Sequence, residues 1–189
     1  VATETNPMPA VITINGWNND KDTQGPSSIE LSRRGFVVLA VDPYGHGEST
    51  GPFLGIASEK ADGYQLQGVD HAYDWLIKQP FVDTTKIGIT GHSMGAGLSR
   101  EVARARPEIQ AVVMQCSCGP VPDFDYQTLN NFLCIYAQWE EMSNVDGERG
   151  DERYDDPDFY KGLGLAEPVI WNHNYGSFEN NSAFQINLN

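Results

Sequence analysis

Gly91-His92-Ser93-Met94-Gly95 decides the reading of this chain. The five residues follow the short apolar run Lys86 to Thr90. They precede a helical stripe at Leu98, Val102 and Ala105, which Pro107 closes. The pattern is G-x-S-x-G in a strand–turn–helix setting. A serine placed there sits on a tight, strained turn, with its hydroxyl projecting beyond the strand. Glycine on either side lets strand and helix approach closely. The helix that follows aims its N-terminus at the turn, where developing negative charge is favoured. That arrangement suits a nucleophile whose attack creates an oxyanion. The plainer alternative is a Gly-Ser turn in another doubly wound fold.

The flanking chain alternates strands with helices. Ala10 to Ile14 and Phe36 to Val41 are apolar, β-branched runs of the kind buried on both faces of a sheet. Between them, Ser27 and Glu30 have capping-box spacing ahead of Leu31, and Gly35 stands as the helix stop. Leu66, Val69, Ala72, Tyr73 and Leu76 recur at helical spacing, with Pro80 beyond. Ile109 to Met114 and Phe132 to Tyr136 predict two more strands. Phe184, Ile186 and Leu188 alternate with Gln185 and Asn187, which predicts a last strand with one polar face. This order predicts an α/β fold, a doubly wound and mostly parallel sheet covered on both faces. No repeat or linker divides residues 1–189, so a single domain is expected.

Composition narrows the partners. The 189 residues carry a formal net charge of −14, which makes nucleic acid and anionic membranes poor partners. No apolar run reaches the length of a membrane span. The chain opens on Val1, so silence about a targeting signal carries little weight. Three cysteines form no paired framework and lack metal-ligand spacing. Cys116 and Cys118 are read as structural thiols at a strand end. The acid-rich stretch from Glu140 to Tyr160 lacks the alternate-residue spacing of a calcium loop and reads as solvated surface. Asn180-Asn181-Ser182 fits a glycosylation acceptor only in a secretory setting. Neither metal nor organic cofactor is called for.

Asn15-Gly16-Trp17 follows the first strand, where a backbone N–H must enter the site. The N–H groups of Trp17 and Met94 are therefore the candidate oxyanion donors. The alternative for Asn15-Gly16 is an ordinary turn. After the second strand comes Asp42-Pro43-Tyr44-Gly45-His46-Gly47-Glu48-Ser49. This stretch resembles the D-x-x-G-x-G-x-S loop of the α/β-hydrolase family, in the expected order between oxyanion loop and serine turn. The resemblance runs from about Pro9 to Leu188. It is nearest to the bacterial serine esterase and dienelactone-hydrolase-like branch. It implies that the Asp42 loop is structural, that His46 packs there, and that the substrate is a small-molecule carboxylic ester or related acyl compound. Asn131 to Glu141 is similar to the family's strand before its catalytic acid, which falls on Glu140, with Glu141 as neighbouring competitor.

The family's order is serine, acid, then histidine. His173 is the only histidine after Glu140, and it precedes the Phe184–Leu188 run rather than following it. Three readings stay open: the chain is part of a longer enzyme, His173 serves as base from a changed loop, or the base is absent or supplied by a partner. The expected function is acyl transfer through an acyl-enzyme on Ser93, with Glu140 orienting the histidine. The alternative is a non-catalytic hydrolase-like module. Oligomeric state is not legible.

Overall fold

The computed structural model describes residues 1–51, 63–115, 128–129, 131–137 and 169–171, with backbone alone for residues 134–137 and 169–171. The Cys116/Cys118, Glu140–Tyr160, Asn180–Ser182 and Phe184–Leu188 expectations lie outside them. Within them the order is β1 (Met8–Ile14), a 3₁₀ turn (Lys21–Gln24), α1 (Gly25–Arg33), β2 (Val37–Val41), α2 (Tyr64–Leu76), β3 (Val82–His92), α3 (Met94–Ala105), β4 (Ala111–Gln115), β5 (Phe132–Ala137) and β6 (Val169–Trp171). The strands form one sheet in the order β2-β1-β3-β4-β5-β6, every pair parallel.

The core follows from strand chemistry. Ala10, Ile12 and Ile14 of β1 are fully buried. Register sets Ile12 between Leu39 of β2 and Ile89 of β3. Right-handed crossovers put α1 on one face of the sheet and α2 with α3 on the other. Arg106 ties the latter two together. Its guanidinium forks onto Asp70 at 2.8 and 2.9 Å, reaches Asp74 at 3.0 Å, and lies 5.1 Å from the centre of the Tyr73 ring.

Three local readings are corrected. The Ser27–Glu30 spacing does not mark a helix start: α1 begins at Gly25, fed by the 3₁₀ turn and with Pro in its first turn. The hydroxyl of Ser28 instead meets that of Thr13 at 3.2 Å. Gly35 does end the helix, at φ 94°, with Phe36 N–H donating to Leu31 O and Gly35 N–H to Ser32 O. Second, α3 buries Gly95, Ala96, Ser99, Val102 and Ala103, while Ala105 is exposed. Small residues face the sheet because the helix axis lies close to it. Third, Val169–Trp171 adds a strand that the periodicity did not single out.

Candidate active site

Strand order reverses at β1. The chain passes from β1 to β2 on one side, then from β3 through β6 on the other. In open α/β sheets such a reversal leaves a crevice beyond the carboxyl ends of the strands, where ligands bind. Ile14 pairs with Gly91 in register. The segments Asn15–Trp17 and His92–Met94 therefore leave the sheet side by side, at that crevice.

Ser93 has φ 53° and ψ −115°, a region that costs a non-glycine residue about 1–3 kcal/mol. Its surroundings enforce the conformation. Ser93 N–H donates to Gln115 O at the end of β4 at 2.8 Å, and Ser93 O accepts from Ala96 and Gly97 at 2.9 and 3.2 Å. Gln115 is itself held, its side-chain amide donating to Thr90 Oγ1 at 3.0 Å. The flanking glycines are sterically required. A Cβ on Gly91 would overlap the Gly95 carbonyl, and one on Gly95 would lie 2.5 Å from Ile14 O.

The loop after β1 lies against this turn. A Cβ on Gly16 would stand 2.9 Å from His92 Nδ1 and 3.5 Å from Ser93 Cβ. Asn19 N–H closes a turn onto Gly16 O at 3.2 Å, with Asn18 at φ 59°. Trp17 follows Gly16 and is 42% exposed. Met94 opens α3, and the N–H of a first helical residue has no preceding turn to accept it. Ser93, Met94 and the Gly16–Trp17 peptide thus come together. Glu140 and His173 lie outside the described residues. Burial pushes the His92 imidazole below its ordinary 6.5, favouring the neutral ring.

The Asp42 loop holds the start of the 3₁₀ turn that follows the β1 exit. Its carboxylate accepts the Lys21 N–H at 2.6 Å, the Lys21 ammonium at 3.2 Å and the Glu48 N–H at 3.1 Å. Ser49 Oγ donates to Asp42 O at 2.7 Å. His46 is buried in this loop, 3% exposed. Burial alone would raise the Asp42 carboxyl, but the two N–H donors and the ammonium outweigh it and hold the group below its ordinary 3.8. A lowered carboxyl contributes stability above its unfolded value and loses it as pH falls through the folded one. Asp42→Asn is accordingly expected to cost about 2 kcal/mol at pH 7. Its deficit relative to wild type should close as pH drops below 3.8. Urea unfolding at pH 7 and in acid checks this; a deficit independent of pH would contradict it.

Sequence reasoning passed over Gln115, a lone polar residue closing an apolar strand, and gave Asn15 no role of its own within the oxyanion stretch. Asn15 is fully buried, and its amide grips the loop that follows.

A profile of the family described as X-Pro dipeptidyl-peptidase (S15 family) matches residues 2–162. The chain is similar to an uncharacterised protein of Mycobacterium tuberculosis (strain H37Rv), 28% identical over 113 residues, covering 60% of this chain and 30% of that protein. It is also similar to the 2,6-dihydropseudooxynicotine hydrolase of Paenarthrobacter nicotinovorans, 26% identical over 140 residues, covering 74% and 35%. The α/β hydrolase GrgF of Penicillium sp. sh18 superposes with a TM-score of 0.52 at 23% identity, over 60% of this chain and 38% of that one, and supports the fold. The chain thus spans well under half of these proteins.

Proposed function

The chain belongs to the X-Pro dipeptidyl-peptidase (S15) family, and from that premise we propose that it carries the nucleophile and oxyanion donors of a serine acyl hydrolase. The observation behind this reading is the strained backbone of Ser93, held between two sterically required glycines beside the Gly16–Trp17 peptide. In the proposed reaction Ser93 Oγ attacks a carboxyl carbonyl and gives its proton to a histidine. The N–H groups of Trp17 and Met94 stabilise the tetrahedral oxyanion. The tetrahedral species collapses, the histidine protonates the leaving group, and an acyl-Ser93 ester remains. Water, deprotonated by the same histidine, then releases the acid and restores the hydroxyl. Glu140 and His173 are the proposed acid and base of this relay.

A carboxylic ester is the substrate class favoured by the Asp42–Ser49 and Ser93 motifs. The family match over residues 2–162 favours a second reading, a peptide amide after X-Pro. The chemistry is shared; an amide depends more on protonation of its leaving nitrogen.

Intact-mass measurement after fluorophosphonate treatment tests the reading. Wild type is expected to take up one label per chain and Ser93→Ala none. A folded protein that stays unlabelled would overturn the enzyme reading in favour of a non-catalytic hydrolase-like module. Comparing a 4-nitrophenyl ester with an X-Pro 4-nitroanilide separates the two substrate classes.

A further inference from the structure

Trp17 N–H and Gly16 C=O belong to one peptide group. In a trans peptide they point in opposite directions. Whatever grips the Gly16 carbonyl therefore sets the aim of the Trp17 N–H. Two donors grip it: the Asn19 N–H at 3.2 Å and, at the shorter 2.9 Å, Asn15 Nδ2, which also donates to Asn19 O at 2.6 Å. Both side-chain protons are thus committed to the two ends of the turn that displays Trp17. The side chain is fully buried, so water does not compete for these bonds. Its own backbone is wedged as well, since the place of a Gly95 Cβ lies 2.6 Å from Asn15 O.

We propose that Asn15 is the positioning residue of the oxyanion site, locking the Gly16–Trp17 peptide with its N–H toward the carbonyl attacked by Ser93. This rests on the serine-hydrolase reading above for its chemical consequence, though not for its geometry. The grip is selective for an amide. Aspartate has the same shape but offers an oxygen where Nδ2 stands, and would set it against two carbonyl oxygens. The Gly16 carbonyl is then left with the longer Asn19 N–H bond and a repelling carboxylate, so the peptide turns away, and a donor misplaced by about 1 Å costs about 10²-fold in rate.

The test compares wild type, Asn15→Asp and Asn15→Ala by ester kinetics and by the backbone amide signal of ¹⁵N-Trp17, assigned with Trp17→Phe. In Asn15→Asp, kcat is expected to fall about 10²-fold with KM within twofold. Affinity for a boronic acid, which mimics the tetrahedral species, should fall in parallel. The Trp17 amide signal should shift in both variants while the fold, read by circular dichroism, persists. An unmoved Trp17 signal overturns the proposal whether or not the protein hydrolyses esters. A shifted signal with unchanged kcat also overturns it. A wild type inert to esters and to fluorophosphonate instead overturns the serine-hydrolase reading, and the Trp17 signal still decides whether Asn15 holds the peptide.

Discussion

Ser93→Ala is expected to abolish fluorophosphonate labelling and to lower kcat by about 10⁴–10⁶-fold, leaving only the catalysis due to the oxyanion donors and binding. Ser93→Gly should be equally inactive, yet more stable than Ser93→Ala. The difference comes from the backbone. At φ 53° and ψ −115° any residue with a Cβ is strained, at about 1–3 kcal/mol. Alanine keeps that strain while glycine releases it, at an entropic cost of about 0.5–1 kcal/mol in the unfolded chain. A net gain of about 1 kcal/mol for Ser93→Gly over Ser93→Ala should appear in urea unfolding with unchanged m. The two readouts are independent: labelling reports the chemistry of the hydroxyl, unfolding the strain that presents it. If Ser93→Gly were the less stable variant, the turn would not be storing strain. Residual turnover within tenfold of wild type in Ser93→Ala would move the nucleophile elsewhere.

Much of this architecture was legible because each signal was local and redundant. The strand before Ser93, the helix after it and the two glycines all point to one turn. The parallel pairing of β1, β2 and β3 follows from short β-branched runs separated by helices. What escaped was set by contacts across the sequence. The Ser27–Glu30 spacing is shared by a first and a second helical turn, and only the 3₁₀ turn ahead of Gly25 tells them apart. The buried face of α3 was read from Leu98, Val102 and Ala105; Val102 is buried and Leu98 packs against the core, but Ala105 is exposed, because periodicity rewards apolar side chains wherever they fall. The rest of the face is marked by small residues, Gly95, Ala96, Ser99 and Ala103, beside Val102. Val169–Trp171 is too short to show a period. Asn15 was given no role of its own, because a grip on a neighbouring carbonyl leaves no spacing pattern. The acid was placed by the likeness of Asn131–Glu141 to a family strand and the base by chain order, and both Glu140 and His173 lie outside the described residues.

The glycines of α3 allow a paired test of how that helix meets the sheet. In the interior of a helix, glycine to alanine ordinarily stabilises by about 0.5–1 kcal/mol. Gly97→Ala should do so, since no atom of the described residues lies within 4 Å of the place its Cβ would take. Gly95→Ala, two residues earlier, should do the reverse. Its Cβ would stand 2.5 Å from Ile14 O, 2.6 Å from Asn15 O and 2.9 Å from Ile14 C. All three are backbone atoms of β1 and its exit, and no rotamer change relieves them. Either α3 lifts away from the sheet or the end of β1 is displaced, at a cost of about 3 kcal/mol or more. Both outcomes also move Met94 and Asn15, so kcat should fall even in protein that remains folded. Urea unfolding of the two variants side by side is the measurement. Opposite signs are expected from the same substitution on the same helix. A Gly95→Ala protein as stable as Gly97→Ala would mean that α3 does not touch the end of β1, and the site built on that contact would have to be redrawn.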